Sequence, residues 1–184
     1  VDGTLTLTAG TLDVSGTNYG ITAKSWTDTG AGVFTEGTGT VTFDGAAGTI
    51  DVNSTETFNN LTINTTNLKT IADNDTLVVT GTLTLTDGTI DQIFVPAAGS
   101  IDAQGGVIHA ATFDGNGGGN CRINITGAGT RTINLTGGGR MPATTLNAAN
   151  VTMNGPSSGT VTFEGLFTLD AGTFTGGAGN VDCL

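Results

Sequence analysis

The chain has 184 residues, of which only 5% are aromatic and 11% charged, and it carries a net charge of −11 with a sequence pI near 4.1. A surface this acidic repels phosphate and argues against nucleic acid or anionic lipid as partner. No apolar run approaches the roughly 20 residues that span a bilayer, so no membrane insertion is expected.

Thr fills 38 positions and Gly 31, while Lys and Arg together fill 5, so β-branched and turn-forming residues dominate and helix formers are scarce. Mean hydropathy is +0.11, and the apolar residues come in short alternating bursts, the pattern of an ordered β-protein. With no basic-then-apolar segment at its start, the sequence reads as a mature, soluble piece.

In chain order, the first burst is "TLTLT" at 4–8, where Leu5 and Leu7 share one face and Thr4, Thr6 and Thr8 the other, because side chains alternate along a strand. The same reading predicts strands in "TVTF" (40–43), "NLTIN" (60–64), "RINIT" (122–126), "TINLT" (132–136) and "TVTF" (160–163). Gly, Asn, Asp or Ser separates each from the next.

Residues 1–13 (VDGTLTLTAGTLD), 79–91 (VTGTLTLTDGTID) and 163–175 (FEGLFTLDAGTFT) align without a gap, 78 and then 84 residues apart. Gly3, Gly81 and Gly165 coincide, as do Gly10, Gly88 and Gly172. The chain therefore divides into a first unit at 1–78, a second at 79–162 and the opening of a third at 163–184, forming one continuous β domain. A unit of about 80 residues is too long for one solenoid coil but accommodates three or four. The expected fold is all-β, a parallel β-solenoid, with tandem β-sandwiches as the alternative.

"GTLTLT-x-GT[LI]D", "GTGTVTFDG" and "TFNNLTIN", in that order, resemble the repeats of large extracellular prokaryotic proteins such as filamentous adhesins, surface layers and sheath or filament subunits. The resemblance covers most of 1–91 and, weakly, 92–184; "IFVPAAGSIDAQGGVIHA" (93–110) departs from it. It implies exported β-rich scaffolding at the cell surface or outside it, and it brings no catalytic residue.

The residues themselves point the same way. His109, the single histidine, lies in "GVIHAATF" with no nucleophile at a matching spacing, and reads as a satisfied or exposed strand histidine. Asp44, Asp114 and Glu164 precede Gly45, Gly115 and Gly165 and read as turn formers, not as an acid and base pair. "ADND" (72–75) is the densest acidic cluster but lacks a calcium-loop pattern, and "GNGGGN" (115–120) and "GGGR" (137–140) have no following helix to hold phosphate. No catalytic residue, cofactor or metal is therefore expected. Thr at alternate positions resembles the ladders of ice-binding solenoids, yet β-propensity alone places it there.

Sequons begin at Asn53, Asn60, Asn64, Asn74, Asn124, Asn134 and Asn150, making glycans an expected partner of an exported chain. Cys121 and Cys183 are the expected cross-link positions, within one chain or between two. Neither terminus carries a helix, a Pro cluster or a charge run that would blunt a strand edge, so copies of the chain are expected to associate. The expected role is a non-enzymatic subunit of a self-assembling extracellular filament or sheath; the alternative is an adhesin stalk or a carbohydrate-binding cell-surface segment.

Overall fold

The computed structural model describes residues 3–28, 30–91, 99–117 and 119–184. Short alternating segments ending in glycine corners are long enough to cross one face and no longer, so the chain coils. The result is a parallel β-solenoid of about 8 turns at roughly 21 residues per turn, with no helix among the described residues. All the strand pairs are parallel, which replaces the β-sandwich alternative: a sandwich is built from antiparallel sheets.

Three faces recur in each turn. β1 (Thr4–Leu7), β2 (Gly10–Asp13) and β3 (Ile21–Ala23) form the first turn, and β4 (Ser25–Asp28), β5 (Gly32–Thr35) and β6 (Thr40–Phe43) the second. β7 (Gly48–Asp51) and β8 (Thr55–Phe58) lead into β9 (Asn60–Ile71), which rounds a corner and opens the fourth turn with β10 (Thr76–Val79). β11 (Thr82–Asp91) rounds the next corner, followed by β12 (Ser100–Ala103), β13 (Gly106–His109), β14 (Arg122–Ile125) and β15 (Arg131–Asn134). β16 (Arg140–Asn154) and β17 (Thr160–Thr175) each wrap all three faces, and β18 (Asn180–Cys183) starts a further turn.

Register makes the core. On the third face Ile21, Val41, Leu61, Leu83 and Val107 stack in one inward column. On the second, Leu77, Ile101, Ile123 and Thr144 do so. Almost every such residue from the second turn to the seventh is fully buried. Trp26, Phe34 and Phe58 pack near one end, with Trp26 edge-on at 5.0 Å from Phe34 and 5.5 Å from Phe58.

The repeat and the coil are out of step. "GTLTLT" at 3–8 lies on the first face, its copy at 81–86 on the third, and "GLFTLD" at 165–170 on the second. A spacing of 78 residues falls short of four turns of roughly 21, and one of 84 falls short as well where turns are longer, the step from Leu83 to Val107 alone taking 24 residues, so successive copies land on different faces. They fit because all three corners have one geometry: Gly10, Gly88 and Gly172 have φ of 84°, 94° and 94°, a region that residues with a Cβ avoid. The recurring module is thus strand, glycine corner, strand. Of the departure at 93–110, residues 92–98 lie outside the described residues, while 99–110 continue the coil as β12 and β13.

Candidate functional site

The two cysteines do not meet. Both thiols are free; Cys121 is buried and Cys183 exposed. Cys121 precedes β14 in the sixth turn, whereas Cys183 pairs with Phe163 beyond the eighth. At about 4.8 Å per rung this separation is roughly 14 Å, about twice the reach of a disulfide. An intrachain bridge is therefore ruled out in this fold, and Cys183 alone is placed to meet another chain. Burial pushes the Cys121 thiol up to about 12, so it stays protonated and inert.

The sequon asparagines separate into engaged and open. Asn60 donates from Nδ2 to Thr38 O and Gly39 O at 3.2 and 3.3 Å and accepts from Thr82 N at 2.9 Å. Asn134 accepts from Asn154 Nδ2, and Asn150 donates to Ala128 O. Asn53, Asn64 and Asn74 are exposed, Asn74 with φ 66° at a turn tip, and Asn124 is half-buried in β14.

His109 occupies the inward column at the level where the turn below has Leu85, and is 3% exposed. Its Nε2 donates to Arg140 O at 3.1 Å and its Nδ1 accepts from Thr136 N at 3.3 Å, which fixes the neutral tautomer. Burial lowers its pKa below the ordinary value. The "ADND" turn points its last carboxylate inward: Asp75 accepts from Val52 N at 2.7 Å, and burial raises its pKa. Among the described residues no group of three or more His, Cys, Asp or Glu could hold a metal.

Four further charged groups are drawn into the fold. Lys69 is fully buried, and its Nζ donates to the carbonyls of Lys24, Asp44 and Ala46 at 2.9, 2.5 and 2.7 Å. Glu164 accepts from Asn116 N and Gly117 N at 2.8 and 3.0 Å and pairs with Arg140, so the start of "GNGGGN", at Asn116 and Gly117, folds around a protein carboxylate. Asp28 and Glu56 take inward positions beside Trp26 and Phe58.

Glu56 is pushed up to about 7, chiefly by burial and further by the negative charges of Asp28 and Glu36. A carboxyl whose folded pKa exceeds its unfolded value favours the fold when protonated, so stability falls as pH rises from near 4.5 through about 7. After allowance for solvent screening, Glu56→Leu is expected to add about 1–2 kcal/mol at pH 8. The gain should shrink toward pH 4, as read by urea denaturation at both pH values. Asp28 and Glu56 both take the interior side of their strands.

Outside the coil, the described threonines of the third face align as Thr22, Thr42, Thr62 and Thr84 before Ile108 ends the rank. The second face carries a groove of about 320 Å³ lined by Thr76, Ser100, Asp102, Asn124, Thr145 and their neighbours. It crosses β10, β12, β14 and β16, with Asp102 opposite Asn124 and Asn124 opposite Thr145. Asp102 accepts from Gln104 Nε2 at 2.9 Å and from the Thr126 hydroxyl, and Arg122 Nη1 reaches Thr145 Oγ1 at 3.5 Å. Small side chains on consecutive rungs make the hollow: Ser, Thr, Asp and Asn stand no taller than one hydrogen-bonding group above the sheet. Alternation places these residues outside, but their joining into one groove follows from register, which the sequence does not display.

Comparison with protein-family models, with curated proteins and with solved structures finds no match for this chain.

Proposed function

We propose that the chain is a non-enzymatic structural subunit of an extracellular filament or sheath whose copies join end to end by continuing the strand columns. The supporting observation is the polarity of the stack, in which every strand pair of the described residues is parallel and the inward columns run on from turn to turn. β1, β2 and β3 pair on one side only, with β4, β5 and β6, and leave Leu5 and Leu12 half-buried. At the other end the second and third segments of β17 pair with β16 below and expose Leu169 to 49%. Parallel strands all point one way, so one end of the coil complements the other and not itself, and such a heterologous contact generates an open polymer. Glycans on the exposed Asn53, Asn64 or Asn74 would lie on the sides of the rod and leave the ends clear.

Sedimentation against concentration, with electron microscopy of the same samples, tests the reading. The expected result is rods lengthening by roughly 40 Å per subunit, from about 8 turns at about 4.8 Å each. Leu169→Asp should shorten them to monomers without loss of β-structure. Lone short rods at every concentration would favour the adhesin stalk instead.

A further inference from the structure

The groove on the second face has no part in end-to-end contact, and its lining defines what it can hold. Thr76, Ser100, Thr126 and Thr145 offer hydroxyls, Asn124 and Asn147 offer amides, and Asp102 offers the one carboxylate of the lining. The amides of Asn124 and Asn147 make no bond within the described residues, unlike those of Asn60, Asn67, Asn116 and Asn154, which are tied to the coil. An apolar ligand would strand these groups without partners. An anion would meet Asp102 within the groove and a chain of net charge −11, against the guanidinium of Arg122 at the edge beside Thr145. What remains is a neutral ligand rich in hydroxyls, which can donate to a carboxylate and both donate to and accept from a carboxamide.

We propose that this groove binds a neutral oligosaccharide laid across the rungs, from β10 toward β16. The groove crosses three rung intervals, about 14 Å at about 4.8 Å each, room for a short run of sugar rings. Rank after rank presents the same kinds of polar group, as a polymer of repeating sugars does. A single carboxylate cannot supply the pair that glycoside cleavage requires, so the sugar is held and released unchanged. With no aromatic platform in the lining, one groove binds weakly, and affinity for a polysaccharide would come from many grooves on one filament. The groove lies on the side of the rod, so binding by the isolated chain succeeds or fails independently of polymerisation.

The test is a titration of the intact chain, followed by amide NMR, with cellohexaose, maltohexaose and mannohexaose as neutral probes and trigalacturonate as the anionic one. Saturable shifts centred on residues 100–102, 124–126 and 145–147 are expected with at least one neutral hexasaccharide. Binding should weaken by about tenfold or more in Asp102→Asn, which keeps the shape but removes the charge that strengthens the hydrogen bonds. Asn147→Trp, at an exposed position, should fill the hollow and abolish binding while circular dichroism stays native. The proposal is overturned by absence of saturation with every neutral probe at ~10 mM. Tighter binding of trigalacturonate, or folded variants that bind as the parent does, would overturn it equally.

Discussion

Replacing Lys69 by Met is expected to destabilise the chain by about 3 kcal/mol, although Met is close to Lys in size and better suited to a buried site. The reason is the three carbonyls that the ammonium satisfies. Lys24, Asp44 and Ala46 belong to the corners where the third face returns to the first, in the second and third turns. Their carbonyl oxygens converge under a side chain that descends from the fourth turn past Gly48, the residue in register below it. A Cβ at position 48 would come within 2.6 Å of Lys24 O, so the glycine keeps this channel open. Met would close the channel to water as well, leaving the carbonyls with no partner at about 1–3 kcal/mol each, offset in part by the relief of burying a charge. The same burial holds the pKa of Lys69 below its ordinary value. Urea denaturation measures the loss, and hydrogen exchange should place it at the corners around 44–48. A variant as stable as the parent would mean that the ammonium holds nothing together.

Glu164→Ala is the second large effect, expected at about 3 kcal/mol, with Glu164→Gln losing roughly half as much. The carboxylate does for the backbone at Asn116 and Gly117 what a β-ladder does elsewhere. There the first face is reduced to the isolated bridges Gly88 to Phe113 and Asp114 to Arg140. One oxygen receives two consecutive backbone N–H groups, the other receives Arg140, and Asn116 Nδ2 closes the turn on Gly119 O and Glu164 O at 2.8 and 3.0 Å. Ala strands both N–H groups and frees Arg140, whereas Gln still offers one acceptor but turns its amide donors toward the guanidinium. Faster hydrogen exchange at Asn116 and Gly117 in Glu164→Ala, with the second face unaffected, is the expected signature. Unchanged protection of these two amides would contradict the assignment.

Much of this architecture is written in parity. Leu5 with Leu7, Val41 with Phe43 and Leu61 with Ile63 alternate so regularly that the strands and their inward faces follow from the sequence alone. Parity also marks inward polar residues that composition hides: Lys69 shares it with Ile71, Glu56 with Phe58, Asp28 with Trp26 and His109 with Val107, and each side chain points inward. Reading charge as a sign of a wet face obscures them. Glu164 is different. It has the parity of the outward Thr162 and is buried because the backbone at Asn116 and Gly117, nearly 50 residues earlier, folds over it, and a local pattern cannot show such a contact. The position of each repeat around the coil was likewise hidden, since corner lengths vary from turn to turn and only their sum decides which face a copy reaches. The groove needs the same sum, because it joins residues more than 20 apart in sequence.

The continuity of the coil is tested most directly by native-state hydrogen exchange read along its length. If the turns form one stack in which each completes its neighbours, protection should peak in the middle strands, around 61–63, 83–85 and 101–103. It should decline smoothly toward β1–β3 at one end and β18 at the other, with no break near residue 78. Two separately protected blocks meeting at 78–79, each with its own weak edges, would show independent units and contradict the account.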